Sequence, residues 1–328
     1  MGIDIGTSNI KIAQVSHGKD PILETYGIVN CAYQIGAKND ELVISKMSDV
    51  LKTLLSKAGI STNRCVISFP NSAVFTSVIE LPNMTNKELS SAVEFEAKKY
   101  VPLALSEIDL SWTITSKAEG GQNLKVLLTA VPKQVTQNYM RILDQAGLEP
   151  EAGEIEALAL IRSLVGNVPM NCVIIDIGAK STGLNIIENG LLRLSRNLNI
   201  GGDTITHKIA ESLNISFFRA EQFKKEFGVG SATIIPDSIK PVLNLIKNEI
   251  KQLLTIYQTH NIAVDKILLV GGGANLPGIV EYFKDLSATV ELGDPLKTVG
   301  YNESLAPILK RYSLSLPIAI GLALRQEG

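Results

Sequence analysis

Apolar and polar positions alternate over short stretches at the start of the chain, which predicts three β-strands within residues 1–30. Residues 41–58 instead carry apolar side chains every three or four positions, so they predict an amphipathic helix that ends at Gly59. Its apolar side is expected to hold Leu42, Val50, Leu51, Leu54 and Leu55. A further strand is predicted at residues 64–69, which indicates an α/β fold.

Residues 70–152 predict a small α+β unit inserted into that fold. A strand at residues 74–81 leads into a helix at Thr85, where Thr85 and Glu88 have the spacing of a capping box. The buried face of this helix is expected to carry Leu89, Val93, Ala97 and Tyr100, with Pro102 ending it. The other predicted elements are strands at 109–116 and 124–131, the turn at 119–121 between them, and a helix at 133–146 ending at Gly147.

The second half of the chain again predicts strands followed by helices. The predicted elements are three strands across 171–197, helices at 203–213, 217–227 and 238–261, a strand at 266–271 and a helix near 312–325. The long helix 238–261 has an apolar stripe that we expect to be core, made of Ile239, Val242, Leu243, Ile246, Ile250, Leu253, Leu254 and Tyr257.

An Asp-Ile-Gly turn occurs twice, about half a chain apart. Residues 2–13 and residues 174–187 each give an apolar strand, this turn, small polar residues and a second strand, which predicts two β-hairpins. Glycine lets the backbone approach a ligand closely, and successive amides in such a turn can bind a phosphate. Asp4 and Asp176, at the strand ends, have the chemistry to hold the waters of a phosphate-bound Mg²⁺.

A third glycine cluster follows a predicted buried strand in residues 267–279. Gly271, Gly272 and Gly273 precede a helix expected to begin near Asn275 to Gly278. Bare backbone and a helix N-terminus are typical of a site for adenosine or its α-phosphate. The alternative is a plain strand-to-helix turn, although three glycines exceed what such a turn needs.

In this order, the three motifs resemble the phosphate-1, phosphate-2 and adenosine motifs of the actin-like ATPase superfamily. The resemblance implies a duplicated, ribonuclease H-like fold whose halves close on ATP and Mg²⁺, with Asp4 and Asp176 holding the metal through water. The residues expected to bind the nucleotide at these motifs are Gly6, Thr7, Ser8, Asn9, Lys11, Gly178, Lys180, Ser181, Thr182, Gly271, Gly272, Gly273 and Asn275.

Other local strings fit the same superfamily. Glu156 lies where its first connecting helix orients the attacking water, although an ordinary surface glutamate is the alternative. The Gly-Gly segment near the phosphates is matched by three residues, Gly201, Gly202 and Asp203. Glu221 and Lys224 match an AExxK pattern whose acid and base contact ribose and adenine, the alternative being a solvated helix face.

The insert resembles the subdomain called 1C in the FtsA and PilM families. Four strings are similar to PilM proteins of type IV pilus assembly: Leu81–Met84 with Glu88 and Leu89, Glu94–Pro102, Ala146–Pro150 and Glu156–Leu160. FtsA, the nearest competitor, is longer and ends in a membrane-binding tail, for which residues 323–328 leave no room. The PilM resemblance implies a cytoplasmic ATP-binding adaptor that binds a short N-terminal peptide of the inner-membrane protein PilN.

The expected division of the chain follows from this resemblance. The first-half core is residues 1–69, joined by 153–170 and 302–328, and the insert is 70–152. The second-half core is 171–203 with 262–301, and residues 204–261 form a helical subdomain. We expect the peptide to dock where the insert meets the first half, with self-association of the insert as the alternative.

Composition and charge exclude several classes of function. The 31 Lys and Arg residues nearly balance the 33 Asp and Glu residues, so no charge bias favours nucleic acid or direct membrane insertion. No apolar run approaches the roughly 20 residues of a membrane-spanning helix. The isolated cysteines Cys31, Cys65 and Cys172 predict buried thiols in a reducing compartment. The histidines, including His260, show no metal-ligand spacing with them.

Two other functions remain compatible with an actin-like fold. A small-molecule kinase would need a base and an acceptor pocket, for which the insert offers only Glu107 and Asp109. An FtsA-like or MreB-like protein would polymerise. For the adaptor we expect slow ATP hydrolysis or none, because no arginine lies in a phosphate motif to stabilise the transferred charge.

Overall fold

A computed structural model describes residues 1–31, 33, 35, 40–117, 123–229, 235–259 and 263–326. The strands of the described residues are β1 (Gly2–Ile5), β2 (Asn9–Ser16), β3 (Ile22–Asn30), β4 (Arg64–Phe69), β5 (Phe75–Pro82), β6 (Ile108–Lys117), β7 (Asn123–Pro132), β8 (Glu149–Ile155), β9 (Cys172–Ile177), β10 (Thr182–Glu188), β11 (Leu191–Leu198), β12 (Lys266–Val270) and β13 (Thr289–Leu292).

The α-helices of the same residues are α1 (Glu41–Ala58), α2 (Asn86–Tyr100), α3 (Lys133–Gln145), α4 (Glu156–Leu164), α5 (Gly202–Leu213), α6 (Phe217–Phe227), α7 (Ile235–Thr259), α8 (Ile279–Phe283), α9 (Ala306–Tyr312) and α10 (Pro317–Ala323). Local chemistry explains several ends. Gly59 ends α1 in the left-handed region, at φ +64°. Thr85 and Glu88 form the predicted capping box of α2.

The two halves of the chain build sheets of the same design. Sheet one has the order β3-β2-β1-β4-β8, and sheet two has the order β11-β10-β9-β12-β13. In each sheet the first three strands are antiparallel and the last two pair in parallel. Both predicted hairpins are therefore present, β1 with β2 and β9 with β10, and the duplicated α/β fold is confirmed.

Helices α4 and α10 pack between the two sheets' cores with their backbones close together. A Cβ atom on Gly321 would lie 1.9 Å from the carbonyl oxygen of Ala159, so only glycine permits this approach. The apolar cluster around α4 contains Val66 of sheet one together with Ile174 and Leu268 of sheet two. This shared core joins the halves behind the ends of β1 and β9.

The insert has its own sheet, sheet three, with the order β5-β7-β6. Helix α2 covers it through Leu89, Val93 and Ala97, which are buried as predicted. Helix α3, however, packs on α1 in the core of sheet one, and β8 pairs with β4 there. We therefore propose that the insert runs from Phe75 to Pro132 rather than over residues 70–152. The predicted turn at 119–121 lies outside the described residues.

Some predicted details are wrong. Leu42 is 62% exposed because it lies about 200° around α1 from the buried Ile44. Tyr100 is 50% exposed, since it is the last residue of α2 and extends beyond the core of sheet three. The helix predicted near 312–325 is α10, which is separate from α9. Strands β8 and β13 were not predicted.

Two further properties concern the cysteines and the lengths of the helices. Cys31, Cys65 and Cys172 are buried and free. Within the described ranges, every helix is too short or too polar to cross a membrane. His260 lies outside the described residues.

Candidate functional site

The two glycine turns have the same hydrogen-bond pattern. The N–H of Gly6 donates to the carbonyl of Asn9 at 3.0 Å, and the N–H of Gly178 donates to the carbonyl of Ser181 at 2.9 Å. Each turn follows the aspartate-bearing strand of its hairpin, β1 or β9. Thr7, Ser8, Lys180 and the other predicted turn residues lie on these two loops, which the fold places in equivalent positions of the two sheets.

Lys11 and Asp4 form an ion pair at the first hairpin. They are cross-strand partners of β1 and β2, and Nζ of Lys11 lies 2.8 Å from Oδ2 of Asp4. A side chain at position 6 would crowd this pair, because a Cβ on Gly6 would lie 3.0 Å from that Nζ and 3.0 Å from the carbonyl oxygen of Asn9. Asp4 is buried, so the pair sits at the bottom of the site rather than on the surface.

The third glycine cluster packs against the aspartate of the second hairpin. A Cβ on Gly271 would lie 2.3 Å from Oδ1 of Asp176, and a Cβ on Gly273 would meet Ile177 at the same distance. Gly272 has open space around its Cβ position. Gly271 and Gly273 are thus required for packing, and Gly272 is the glycine whose backbone remains accessible.

The helix after this cluster begins later than predicted. Gly272–Asn275 forms a 3-10 turn in which Nδ2 of Asn275 donates to the carbonyl of Gly272 at 3.3 Å. Helix α8 begins only at Ile279, because Gly278 adopts a positive φ of 81° and interrupts the chain before it. The accessible feature at this end of β12 is therefore bare backbone and not a helix N-terminus.

Three carboxyl groups share the cation of Lys11. Burial, with a contribution from Asp4, raises the pKa of Asp176 to about 6. Burial followed by the charges of Asp4 and Asp176 raises the pKa of Glu156 to about 8. Burial opposes the charged form of Lys11, but these carboxylates outweigh it and raise its pKa. The site therefore concentrates negative charge in a poorly solvated place.

A divalent cation is the chemistry that such an acidic centre accepts most readily. Within the described part of the chain, no three His, Cys, Asp or Glu side chains converge closely enough to hold a metal directly. Carboxylates are hard oxygen ligands of the kind that Mg²⁺ prefers, directly or through its waters. The residues present are thus compatible with Mg²⁺ placed between Asp4, Asp176 and a phosphate group.

Glu156 is the first residue of α4 and is only partly exposed. The main-chain N–H of Asn71 donates to its Oε2 at 3.1 Å. The buried ring of Tyr139 lies near enough for the charges of Glu156 and Asp4 to add to the effect of burial, which raises the pKa of Tyr139. Glu156 is therefore anchored by this main-chain hydrogen bond, and its role in orienting water stays a prediction.

The Gly-Gly segment lies on the second glycine turn. The N–H of Gly202 donates to the carbonyl of Gly178 at 2.9 Å, and the N–H of Asp203 donates to the carbonyl of Ala179 at 2.8 Å. A Cβ on Gly201 would lie 2.5 Å from the latter oxygen. Because α5 begins at Gly202, this packing fixes the start of that helix beside the turn.

Glu221 and Lys224 on α6 form an ion pair of 2.6 Å that reaches back to this segment. Nζ of Lys224 donates to the carbonyl of Gly202 at 3.1 Å, and the hydroxyl of Thr206 lies 2.6 Å from Oε2 of Glu221. Burial would raise the pKa of Glu221, but its bonds from Lys224 and Thr206 outweigh burial and lower it. The side chain of Lys224 is only 12% exposed, so a solvated face does not describe it.

Comparison with known proteins agrees with the duplicated fold and its glycine turns. The family model for the type IV pilus assembly protein PilM matches residues 2–327. The chain belongs to the PilM family. The sequence-based recognition is thus confirmed, and so is a role in type IV pilus assembly.

Other relatives and solved structures agree with a PilM-type, actin-like fold. The cell division protein FtsA of Streptococcus pneumoniae is 24% identical and covers 87% of this chain and 73% of its own. FtsA of Bacillus subtilis is 23% identical and covers 90% and 78%. A structure of a PilM–PilN type IV pilus biogenesis complex matches with a TM-score of 0.86 and 26% identity, covering 99% of this chain and 97% of that one.

Two more distant structures share the fold alone. The ethanolamine utilization protein EutJ of Carboxydothermus hydrogenoformans has a TM-score of 0.61 and 17% identity over 98% of this PilM chain and 88% of its own. MreB 5 of Spiroplasma citri bound to AMPPNP has a TM-score of 0.52 and 16% identity over 98% and 93%.

Sequence reasoning missed three residues of this PilM site: Asn71, Tyr139 and Thr206. Each reaches the site through tertiary packing, and none belongs to a glycine motif. The burial of Tyr139 was predictable only from the apolar periodicity of its helix. The contacts of Asn71 and Thr206 had no counterpart in the linear pattern.

Proposed function

We propose that this chain is an ATP-binding adaptor of type IV pilus assembly, with Mg-ATP bound between its two halves. The observation that carries the proposal is the buried ion pair of Asp4 with Lys11, whose pKa the charges of Asp176 and Glu156 also raise, flanked by two equivalent glycine turns. A phosphate with Mg²⁺ matches a site that supplies amide donors, one cation and water-binding carboxylates. The AMPPNP-bound MreB 5 structure of the same fold supports this choice of ligand.

Each motif has a distinct part in this proposal. The amides of Gly6–Asn9 and Gly178–Thr182 hold the phosphates, and Lys11 adds a point charge. Asp4 and Asp176 position the waters of Mg²⁺. Gly272, Asn275, Glu221 and Lys224 contact the nucleoside, with Gly201, Gly202 and Asp203 beside the phosphates.

Hydrolysis is slow in this proposal. Glu156 is the group placed to orient an attacking water, and the phosphate motifs contain no arginine to stabilise the charge of the transition state. ATP therefore acts mainly as a ligand that closes the halves, which is the hinge motion available to two domains joined by packed helices.

Isothermal titration calorimetry with the Asp176→Ala variant tests the site. We expect Mg-ATP affinity to fall at least about tenfold, since the loss of one metal-positioning group costs on the order of 1.4 kcal/mol or more. Asp49→Ala is the matched control, because the side chain of Asp49 is 72% exposed on α1. Equal affinities for both variants would contradict the assignment.

We also propose that the insert binds a short extended peptide from the N-terminus of an inner-membrane, PilN-like partner. The complex with the high TM-score is described as PilM–PilN, which supports this class of partner. The protein would then act in the cytoplasm, held at the inner membrane through that partner. Self-association of the insert remains the alternative outcome.

A groove of about 360 Å³ gives this peptide a place to bind. Its lining comprises Asn71 and residues 74–77 at the entry to the insert, Tyr100 and Leu128 of the insert, and residues 195–197 of β11, and we name it the β5–β11 groove. Strands β5 and β11 are edge strands of sheets three and two. Edge strands offer main-chain groups to an added peptide, and Val74, Phe75 and Leu128 offer apolar contacts. The proposed docking site therefore includes β11 of the second half as well as the insert.

A bulky side chain placed in the β5–β11 groove tests whether the peptide binds there. Ser77 lines the groove, whereas Ser111 is exposed on β6 at the other edge of sheet three. Ser77→Trp should weaken binding of the partner's N-terminal peptide at least about tenfold, and Ser111→Trp should leave it unchanged. Unchanged peptide binding by Ser77→Trp, with a normal fold by circular dichroism, would place the peptide elsewhere.

A further inference from the structure

Asn71 lies where three parts of the molecule meet. It follows β4 of sheet one and opens the 3-10 turn Asn71–Ala73, which leads into β5, the first strand of the insert. Its side chain also approaches sheet two, because a Cβ on Gly183 of β10 would lie only 3.1 Å from Nδ2 of Asn71. The side-chain amide of Asn71 fits here because Gly183 has no side chain.

The main chain of Asn71 contacts the acidic centre from one side. Its N–H donates to Oε2 of Glu156 at 3.1 Å. Gly183, under its side chain, is the cross-strand partner of Asp176. Asn71 therefore contacts Glu156 directly and also approaches β10, the strand that pairs with the strand of Asp176.

The side chain of Asn71 also forms part of the β5–β11 groove. Asn185 and Asn197 lie on the same face of β10 and β11 as Gly183, and Ser195 donates to Oδ1 of Asn185 at 2.7 Å. Among the described residues, Nδ2 of Asn185 and Oδ1 of Asn197 are buried without a hydrogen-bond partner. Asn197 lines the groove, so its unmatched acceptor lies directly behind the groove wall.

We propose that Asn71 is a positioning residue that links this groove to the phosphate site. Its main-chain N–H holds Glu156 in the orientation needed to place the attacking water. Its side-chain amide is the contact through which an occupant of the groove shifts that N–H. The inference rests on the proposed function, and it adds the route by which a bound peptide changes ATP turnover.

A proline substitution separates the N–H from the side chain. Asn71→Pro removes the donor, and the site accepts proline because it begins a turn and follows Pro70 in an extended conformation, with ψ 138°. Asn71→Ala keeps the N–H and removes only the side-chain amide. We expect Asn71→Pro to lower kcat for ATP hydrolysis about tenfold with KM within about twofold, and to lower kcat more than Asn71→Ala does.

Two double variants test the route. In a Glu156→Ala background, Asn71→Pro should have no further effect, since its target is absent. Ser77→Trp, which fills the groove without a peptide, should change kcat at least about threefold in the unaltered chain and not in Asn71→Ala. Equal effects of Ser77→Trp in both backgrounds, or none in either, would overturn the link to the groove.

Amide hydrogen exchange gives a measurement that does not depend on the folding of a proline variant. Glu156→Ala should speed exchange at Asn71 and leave Ala73, whose N–H donates to the carbonyl of Pro70 at 2.8 Å, unchanged. Unchanged exchange at Asn71, an unaltered kcat in Asn71→Pro, or no hydrolysis by the unaltered chain would each overturn the positioning role. Absence of Mg-ATP binding by the unaltered chain would instead overturn the proposed function itself.

Discussion

The Nζ atom of Lys11 lies 2.8 Å from Oδ2 of Asp4, and the charges of Asp4, Asp176 and Glu156 raise the pKa of this lysine against the effect of its burial. This ion pair joins adjacent strands of the first hairpin at the point where the glycine turn begins. We therefore assign Lys11 two functions. It balances the charge of the buried carboxylates before nucleotide binds, and it contacts phosphate when Mg-ATP is bound.

Replacing Lys11 by methionine should remove both functions while keeping the volume of the side chain. We expect Mg-ATP affinity to fall at least about tenfold, because the phosphates lose a charge-assisted bond and the carboxylates remain unbalanced. Lys52→Met on α1, where the side chain of Lys52 is 53% exposed, is the control. Calorimetry on the two variants decides the point, and equal affinities would remove Lys11 from the site.

Gly271 and Gly272 are neighbours with opposite tolerance for a side chain. Gly271 has φ +84° and ψ 168°, a region that is almost restricted to glycine, and its Cβ would meet Asp176. Gly271→Ala should lower the free energy of unfolding by about 2 kcal/mol or more, whereas Gly272→Ala should change it by about 0.5 kcal/mol at most. Urea denaturation of both variants measures this, and similar losses would show that the approach to Asp176 is not tight.

The raised pKa of Glu156 predicts a pH dependence of stability without metal or nucleotide. Its pKa is about 8 in the folded protein and near 4.5 when unfolded. Between these values the folded state keeps a proton that the unfolded state loses, so the free energy of unfolding falls as pH rises and the full cost is present above pH 8. Asp176 contributes in the same direction between its ordinary value of 3.8 and about 6.

Glu156→Gln removes the larger of these titrations. Allowing for solvent screening of this partly exposed side chain, we expect this variant to be more stable than the unaltered chain by about 2 kcal/mol at pH 8.5 and equal to it at pH 4.5. Denaturation at a series of pH values in a chelating buffer measures the difference. A constant difference across the series would mean that Glu156 titrates normally.

The hairpins and glycine clusters were predictable because their chemistry is local. Alternation gives the strands, and the turn at Gly6 or Gly178 lies within a few residues of them. Strand β8 was missed because its sequence, EPEAGEI, is mostly polar and becomes a strand only through parallel pairing with β4. Local pattern carries no information about such a partner.

The boundary of the insert and the role of Asn71 depend on the same long-range information. The apolar face of α3, with Tyr139 and Ile142, is evident from periodicity, but periodicity does not say which sheet it covers. Asn71 is an ordinary turn residue in the linear sequence, and only the fold brings its N–H to Glu156, which lies 85 positions later.

Calorimetric titration of the unaltered chain with ATP, once with excess Mg²⁺ and once with a chelator, tests whether Mg-ATP binds between the two halves. We expect one Mg-ATP per chain and an affinity at least about tenfold weaker in the chelator, because Asp4 and Asp176 repel phosphate that lacks its cation. Absence of binding in both titrations, or equal affinity with and without Mg²⁺, would contradict it.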